Sequence, residues 1–319
     1  MTPRVEKCLV KADWSLALCL LLYCSAFGQS MDKEATGRAS ECSSNTGLHC
    51  EIYGKEGGDP ILALHGLGSS TYTWRKLNDY PDLIHNYRLI LVDLKGAGQS
   101  PKPRDKHYSI NEQADLIYRF IQEHDLKKLT IMGNSYGGAV SLLLAIRLCE
   151  QDPGRFSKLI LIDSGGYNRK LPGHLKLLRT PILGWIALHI LPAKTSARMI
   201  LKKTYYDKRE ITEIQVEAYA GPIAAKGGRH ALLQTAKQAI PKNIDEITAK
   251  YKTICVPTLI LWGRQDKVIP LEIGEQLRCD IPNSRLEIID KAGHVPQEEV
   301  PGKVIPLILE FMTRSDSRP

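Results

Sequence analysis

Beyond its first thirty residues the sequence has no apolar run of the roughly 20 residues that a membrane-spanning helix needs, so nothing there reads as an integral membrane segment. Internal repeats and low-complexity tracts are also missing, which sets aside solenoid arrays and places any disorder at the chain ends. No pair among the eight cysteines has zinc-ligand spacing with a second pair to complete it, so no structural metal site is expected. The glycine-rich loop Asp93-Leu-Lys-Gly96-Ala-Gly98-Gln-Ser100 lacks the spacing of a dinucleotide-binding loop and the acidic residue after the next strand. No nicotinamide or flavin cofactor is therefore expected. The basic residues form no nucleic-acid reading motif, so nucleic acid is not an expected partner.

What remains is an ordinary globular composition, 43% hydrophobic and 24% charged over 319 residues. That length buries enough surface to fold without metal or disulfides. The formal net charge of +8 is unevenly placed. Residues 166–252 hold sixteen Lys and Arg against six Asp and Glu, leaving the rest of the chain slightly acidic. Solvated lysine-rich helix faces account for such a balance, and so does attraction to an anionic surface or acidic substrate.

The run Trp14–Phe27 is apolar, follows Arg4, Lys7 and Lys11, and precedes small residues near Ala26 and Gly28. This pattern in residues 1–30 fits a secretory signal peptide, with an uncleaved N-terminal anchor as the alternative. Either predicts an exported (periplasmic or secreted) or membrane-anchored protein. Cys42 and Cys50, with seven residues between them, could close a disulfide loop outside the cytosol. Cys149, Cys255 and Cys279 stand in apolar contexts and are expected as small buried hydrophobes.

Short runs rich in Ile, Leu and Val predict buried strands at Ile61–Leu64, Arg88–Val92, Leu129–Met132, Lys158–Ile162, Thr258–Leu261 and Leu286–Ile289. Helical patterns occupy Ile110–His124, Tyr136–Glu150, Leu271–Cys279 and Val304–Met312. This alternation predicts an α/β protein with a mostly parallel sheet covered on both faces, plus an antiparallel edge strand within Gly47–Gly54. Between about Gly165 and Thr253 the strands stop. Helices are expected there at Pro172–Ile190, Ser196–Tyr205, Glu210–Tyr219 and Gly228–Gln238, as a module inserted over the ligand crevice.

Gly133-Asn-Ser135-Tyr-Gly137-Gly138 lies between a strand pattern and a helix pattern. A serine there sits on a sharp, strained turn, exposed above the sheet, with a helix N-terminus to favour developing negative charge. A base must come from elsewhere, and His294, in a glycine-bearing loop past the last strand, can reach back over the sheet ends. Asp266, presented after the strand and turn Leu259–Gly263, is the expected acid that orients the imidazole. Asp163, at the end of an earlier strand, is its rival. The chain order Ser135, Asp266, His294 fits a nucleophile, acid and base on one sheet. Backbone N–H groups of Leu67, in His65-Gly66-Leu67-Gly68, and of Tyr136 are the expected oxyanion donors. His65 is expected to shape its loop.

In combination, His65-Gly66-x-Gly68, Asp93-x-x-Gly96-x-Gly98-x-Ser100, the Ser135 segment, Asp266 and Gly293-His294-x-Pro296 resemble the α/β-hydrolase superfamily, in its capped subgroup of esterases, lipases and carbon–carbon bond hydrolases. The resemblance covers about residues 48–313. It implies an eight-stranded core (48–164 and 253–313) with a helical cap (165–252) after the sixth strand. Ser135 disfavours the dehalogenase and epoxide-hydrolase branches, which use an aspartate there. Hydrolases of aromatic ring-fission products typically carry an asparagine near the oxyanion strand and a tryptophan after the histidine. This chain has Gly68-Ser-Ser-Thr-Tyr-Thr-Trp74 and His294-Val295-Pro296 in their places. The expected function is therefore hydrolysis of a carboxylic ester by a serine triad, with carbon–carbon bond hydrolysis and ligand binding without catalysis as alternatives. The apolar stretch Pro181–Leu191 offers Trp185 as a candidate acyl contact, otherwise as a packed helix face. With the basic balance it suggests a lipophilic ester and contact with a membrane surface.

Overall fold

The computed structural model describes residues 40–42, 44–168 and 190–314. Eight strands form one sheet: β1 (Ser40–Glu41), β2 (Cys50–Gly54), β3 (Asp59–Leu64), β4 (Tyr87–Val92), β5 (Leu129–Asn134), β6 (Phe156–Ile162), β7 (Thr258–Gly263) and β8 (Ser284–Ile289). Their spatial order is β1-β2-β4-β3-β5-β6-β7-β8, with β1 and β2 antiparallel to their neighbours and the rest parallel. β2 is the antiparallel strand expected within Gly47–Gly54, although β1 lies outside it and forms the edge.

The helices among the described residues are α1 (Pro81–Asn86), α2 (Ile110–Glu123), α3 (Tyr136–Gln151), α4 (Ala193–Thr204), α5 (Glu213–Ala224), α6 (Gly228–Gln238), α7 (Ile244–Thr248), α8 (Glu272–Asp280), α9 (Pro296–Glu299) and α10 (Pro301–Thr313). The near-continuous apolar strands follow from burial on both faces, because successive side chains point to opposite sides. Leu62, Leu64, Ile90, Ile131, Leu161, Ile260 and Trp262 pack toward α2, α3 and α8. Ile61, Ala63, Leu89, Met132, Ile160 and Leu261 pack on the other face with Trp74, Leu83 and the α10 residues Val304, Ile305 and Ile308. β8 departs from the buried pattern expected of it: only Ile289 is buried, since this strand has a partner on one side only. The 3-10 helix Thr71–Asp79, α1, α7 and α9 were not anticipated: the first turns at three residues rather than the 3.6 of the helical pattern, and the others are too short to show a hydrophobic period.

The chain between β6 and β7 holds α4 to α7 and, among its described residues, no strand. The expected helix Pro172–Ile190, with Trp185, lies outside the described residues except for Ile190, as does the 1–30 leader. α5 begins at Glu213 rather than Glu210 because Thr212 and Gln215 form a capping box, each side chain bonding the other's backbone N–H.

The cysteines require a correction. Cys149 and Cys255 are paired in a disulfide with Cα atoms 5.7 Å apart, and Cys42 pairs with Cys50 at 5.5 Å. Cys255 and the free Cys279 are exposed, not buried. Their apolar neighbours belong to Val256 and the start of β7, and to the opposite face of α8, whose buried side is Ile273, Gly274 and Leu277.

Candidate active site

β3 lies between β4 and β5, so the chain leaves it in one direction and returns on its other side. Such a switch point opens a crevice at the carboxyl ends of the strands. The Gly66–Gly68 loop after β3 and Ser135 after β5 both stand there. Ser135 has φ 55° and ψ −115°, in the left-handed half of backbone space that a non-glycine residue enters only at a cost. The surroundings hold it there. Its N–H donates to the Ile162 carbonyl at 3.0 Å and its carbonyl accepts from Ala139 and Gly165. A Cβ on Gly137 would run into the Leu64 carbonyl oxygen, which is why this position takes glycine.

His294 lies between β8 and α9, 4% exposed, and its Nε2 is 2.7 Å from Ser135 Oγ. Its Nδ1 is 2.7 Å from Asp266 Oδ2. The other carboxylate oxygen of Asp266 accepts from the Val268 and Ile269 N–H groups at 2.6 and 3.1 Å, which fixes the rotamer. A carboxylate only accepts, so Nδ1 carries the imidazole proton and Nε2 is free to accept from the serine hydroxyl. The three expected residues are thus brought into one hydrogen-bonded series.

Asp163 is brought close but not into that series. It is fully buried, also at positive φ (44°), and its Oδ1 accepts from Gly263 N–H at 2.9 Å. Burial, then the neighbouring Asp266 carboxylate, push its carboxyl well above the usual carboxylate range, favouring the protonated form. Asp163, Asp266 and His294 offer ligand atoms within 4.8 Å of one another. Metal ligands at about 2.0 Å in a tetrahedral shell stand roughly 3.3 Å apart. The 2.7 Å contact between His294 and Asp266 is closed by a hydrogen bond instead, so the trio does not fit an ion.

The loop after β3 passes directly over the nucleophile, where a Cβ on Gly66 would stand 3.2 Å from the Ser135 Cβ. Ser69 N–H closes a turn onto the Gly66 carbonyl, and the Leu67 N–H takes no part in it. Tyr136 opens α3, whose first N–H groups have no partner within the helix. Both residues line the cavity that contains Ser135. His65 accepts from Leu94 N–H at Nε2 (3.0 Å), so its proton sits on Nδ1 and is donated to the Gly66 carbonyl (2.8 Å). Burial lowers its pKa, consistent with a neutral imidazole that shapes the loop.

The cavity has a volume of about 480 Å³ and is walled by aliphatic residues of α3, α7, α8 and the loop before α8, among them Leu143, Ile244, Ile247, Ile269 and Ile273. No charged side chain is among its described lining residues. Three polar side chains near the triad went unassigned in the sequence. Asn134 donates from Nδ2 to the Ile162 and His294 carbonyls, both at 3.1 Å. Glu298 and Glu299, four and five residues after the histidine, are buried carboxylates on α9. The position of Asn134, inside the serine turn, was the one available signal for it.

A sheet in this order, with a serine turn after β5, an acid after β7 and a histidine after β8, defines an α/β-hydrolase architecture. The profile described as alpha/beta hydrolase fold matches residues 59–185 and 194–301, and the chain belongs to this family. It is 28% identical over 271 residues to the uncharacterized hydrolase YugF of Bacillus subtilis, covering 83% of this chain and 94% of that one. It is 25% identical to a 2-hydroxy-6-oxononadienedioate/2-hydroxy-6-oxononatrienedioate hydrolase of Cupriavidus pinatubonensis, covering 83% and 90%. Among solved structures, a provisionally assigned lipase of Acinetobacter baumannii superposes with a TM-score of 0.71 at 26% identity, covering 95% of this chain and 97% of that one.

Proposed function

We propose that this hydrolase cleaves carboxylic esters with apolar acyl groups through an acyl-enzyme. The observation that carries the reading is the series Ser135–His294–Asp266 opening onto an apolar cavity with no charge among its described walls. His294 removes the Ser135 proton as the hydroxyl attacks the ester carbonyl, and Asp266 stabilises the imidazolium that forms. The Leu67 and Tyr136 N–H groups receive the oxyanion, and losing one such donor typically costs about a hundredfold or more in rate. His294 then protonates the departing alcohol and activates a water that releases the acid.

The segment between β6 and β7 acts as a cap in this reading, supported by Ala239–Pro241 and the α7 residues Ile244 and Ile247 on the cavity wall. Two disulfides among the described residues support work outside the reducing cytosol.

Carbon–carbon bond hydrolysis is the second reading, favoured by the relative from Cupriavidus. A dienedioate carries carboxylate groups, and no cation among the described lining residues of the cavity pairs such a charge, which is costly to bury alone. The test compares kcat/KM for neutral p-nitrophenyl esters of graded chain length with that for a ring-fission dienoate, beside Ser135→Ala. Ester turnover that rises with acyl length and vanishes in Ser135→Ala is expected. Preference for the dienoate by tenfold or more would overturn the ester reading. Undiminished turnover in Ser135→Ala would overturn both.

A further inference from the structure

The loop that carries His294 is held by its neighbours through its main chain. The His294 N–H donates to the Thr204 carbonyl at 2.7 Å, at the end of α4 in the inserted segment. The Glu299 carboxylate then bridges the same junction. Its Oε1 accepts from the Gly293 and Val295 N–H groups at 2.9 and 3.4 Å, one on each side of the histidine. Its Oε2 accepts from the Tyr206 N–H at 2.6 Å, two residues past Thr204. A Cβ on Gly293 would collide with the Thr204 carbonyl oxygen, so the two backbones meet as closely as glycine allows. Val295 also packs in one cluster with Leu201, Val216 and Tyr219 of the inserted helices.

Resting on the serine-hydrolase reading, we infer that Glu299 is a positioning residue: one carboxylate ties the end of α4 to the backbone on both sides of His294, so the seating of the inserted helices and the placement of the base are set together. Only an acceptor-only group suits three converging N–H donors, because a carboxamide of the same shape would turn an N–H toward at least one of them.

Adjacent Glu298 secures the same junction through side chains. It accepts from Thr73 (2.6 Å) and Arg75 (2.5 Å) of the core, and from Tyr219 (2.5 Å) and Tyr205 (3.0 Å) of the insertion. Burial pushes the Glu299 carboxyl up to about 7, against the pull of its three N–H donors and with a smaller push from Glu210 at the end of the 3-10 turn Lys208–Glu210. Asp163, whose carboxyl Glu299 helps to push up, Glu298 with its Arg75 partner, His294, Tyr205 and Tyr206 are other ionisable groups around it. The ionised, charge-assisted clamp is therefore present above about pH 7 and weakens as pH falls.

The test follows covalent labelling of Ser135 by a fluorophosphonate, which needs His294 but no knowledge of the substrate. In Glu299→Gln the maximal labelling rate should fall at least tenfold while the half-saturating probe concentration stays within about twofold. The acid limb of the wild-type rate profile should take up more than one proton, and that of Glu299→Gln fewer. Glu299→Asp should recover part of the rate. A second variant, Tyr206→Pro, removes the donor from the insertion, sets a ring carbon in its place facing Glu299 and takes away the exposed Tyr206 ring; Tyr205 at φ −80°, ψ 137° already has the conformation that a following proline requires. It should slow labelling in the same sense, and it decides the matter if Glu299→Gln does not fold. Wild-type rate and profile in a folded variant would overturn the clamp. Wild-type protein that is itself never labelled at Ser135 would overturn the serine-hydrolase reading, a different result.

Discussion

Asn134 donates a hydrogen bond from its side chain to the main-chain carbonyl of His294, so the residue before the nucleophile holds the residue that bears the base. The same amide group also bonds the Ile162 carbonyl, tying β5, β6 and the histidine loop at one buried point.

Asn134→Ala should therefore affect both fold and chemistry. It strips the buried His294 carbonyl of its donor, at about 1–3 kcal/mol for a group left bare, and leaves the Ile162 carbonyl with the Ser135 N–H alone. Urea unfolding should report that loss, and fluorophosphonate labelling of Ser135 should slow in the protein that remains folded. Unchanged stability together with an unchanged labelling rate would show that the loop does not depend on this contact.

The two buried aspartates should separate sharply. Asp266→Asn disturbs the tautomer that leaves Nε2 free, and in comparable triads this change costs about 10⁴ in rate. Asp163→Asn replaces an acid already biased toward its neutral form and should keep activity within a few-fold. Because the folded-state pKa of Asp163 is raised, its contribution to stability is complete below the ordinary carboxylate pKa and is lost as pH rises. Asp163→Asn should flatten that decline, as followed by thermal unfolding from pH 4 to 9 on the order of the relevant titration range. A reversed ranking of the two variants in rate would make Asp163 the triad acid.

Reduction should destabilise the protein. Cys149 and Cys255 are 106 positions apart, and closing so long a loop constrains the unfolded chain strongly. Cys149→Ser should cost about 2–4 kcal/mol in urea unfolding under oxidising conditions, and nothing further when reductant is added for that bridge. Alkylation and mass analysis of the protein from its native host should find four of the described cysteines blocked and Cys279 reactive. Complete alkylation without reduction would argue against export.

The parts legible in the sequence were those encoded locally. Buried parallel strands announce themselves by unbroken Ile, Leu and Val, and β3, β4, β5, β6 and β7 lie where such runs stand. Ser135 was legible because its turn demands glycines at fixed offsets, and His294 and Asp266 because each follows a strand in a glycine-bearing turn. What escaped depends on partners far along the chain. Glu298 reads as an ordinary surface acid until Thr73, Arg75, Tyr205 and Tyr219 converge on it. The Cys149–Cys255 pair has no local signature, since neither neighbourhood records the other. β8 was overestimated as buried because a run of apolar residues does not say that its strand has one neighbour instead of two.

The nucleophile and its base are 159 positions apart, with the base past the final strand. At about 5–20 residues per second, a ribosome makes Ser135 roughly 8 to 32 s before His294. Throughout that interval the growing polypeptide has a serine but nothing to take its proton. No Ser135–His294 pair can form until residue 294 has been made, a delay set by the order of translation.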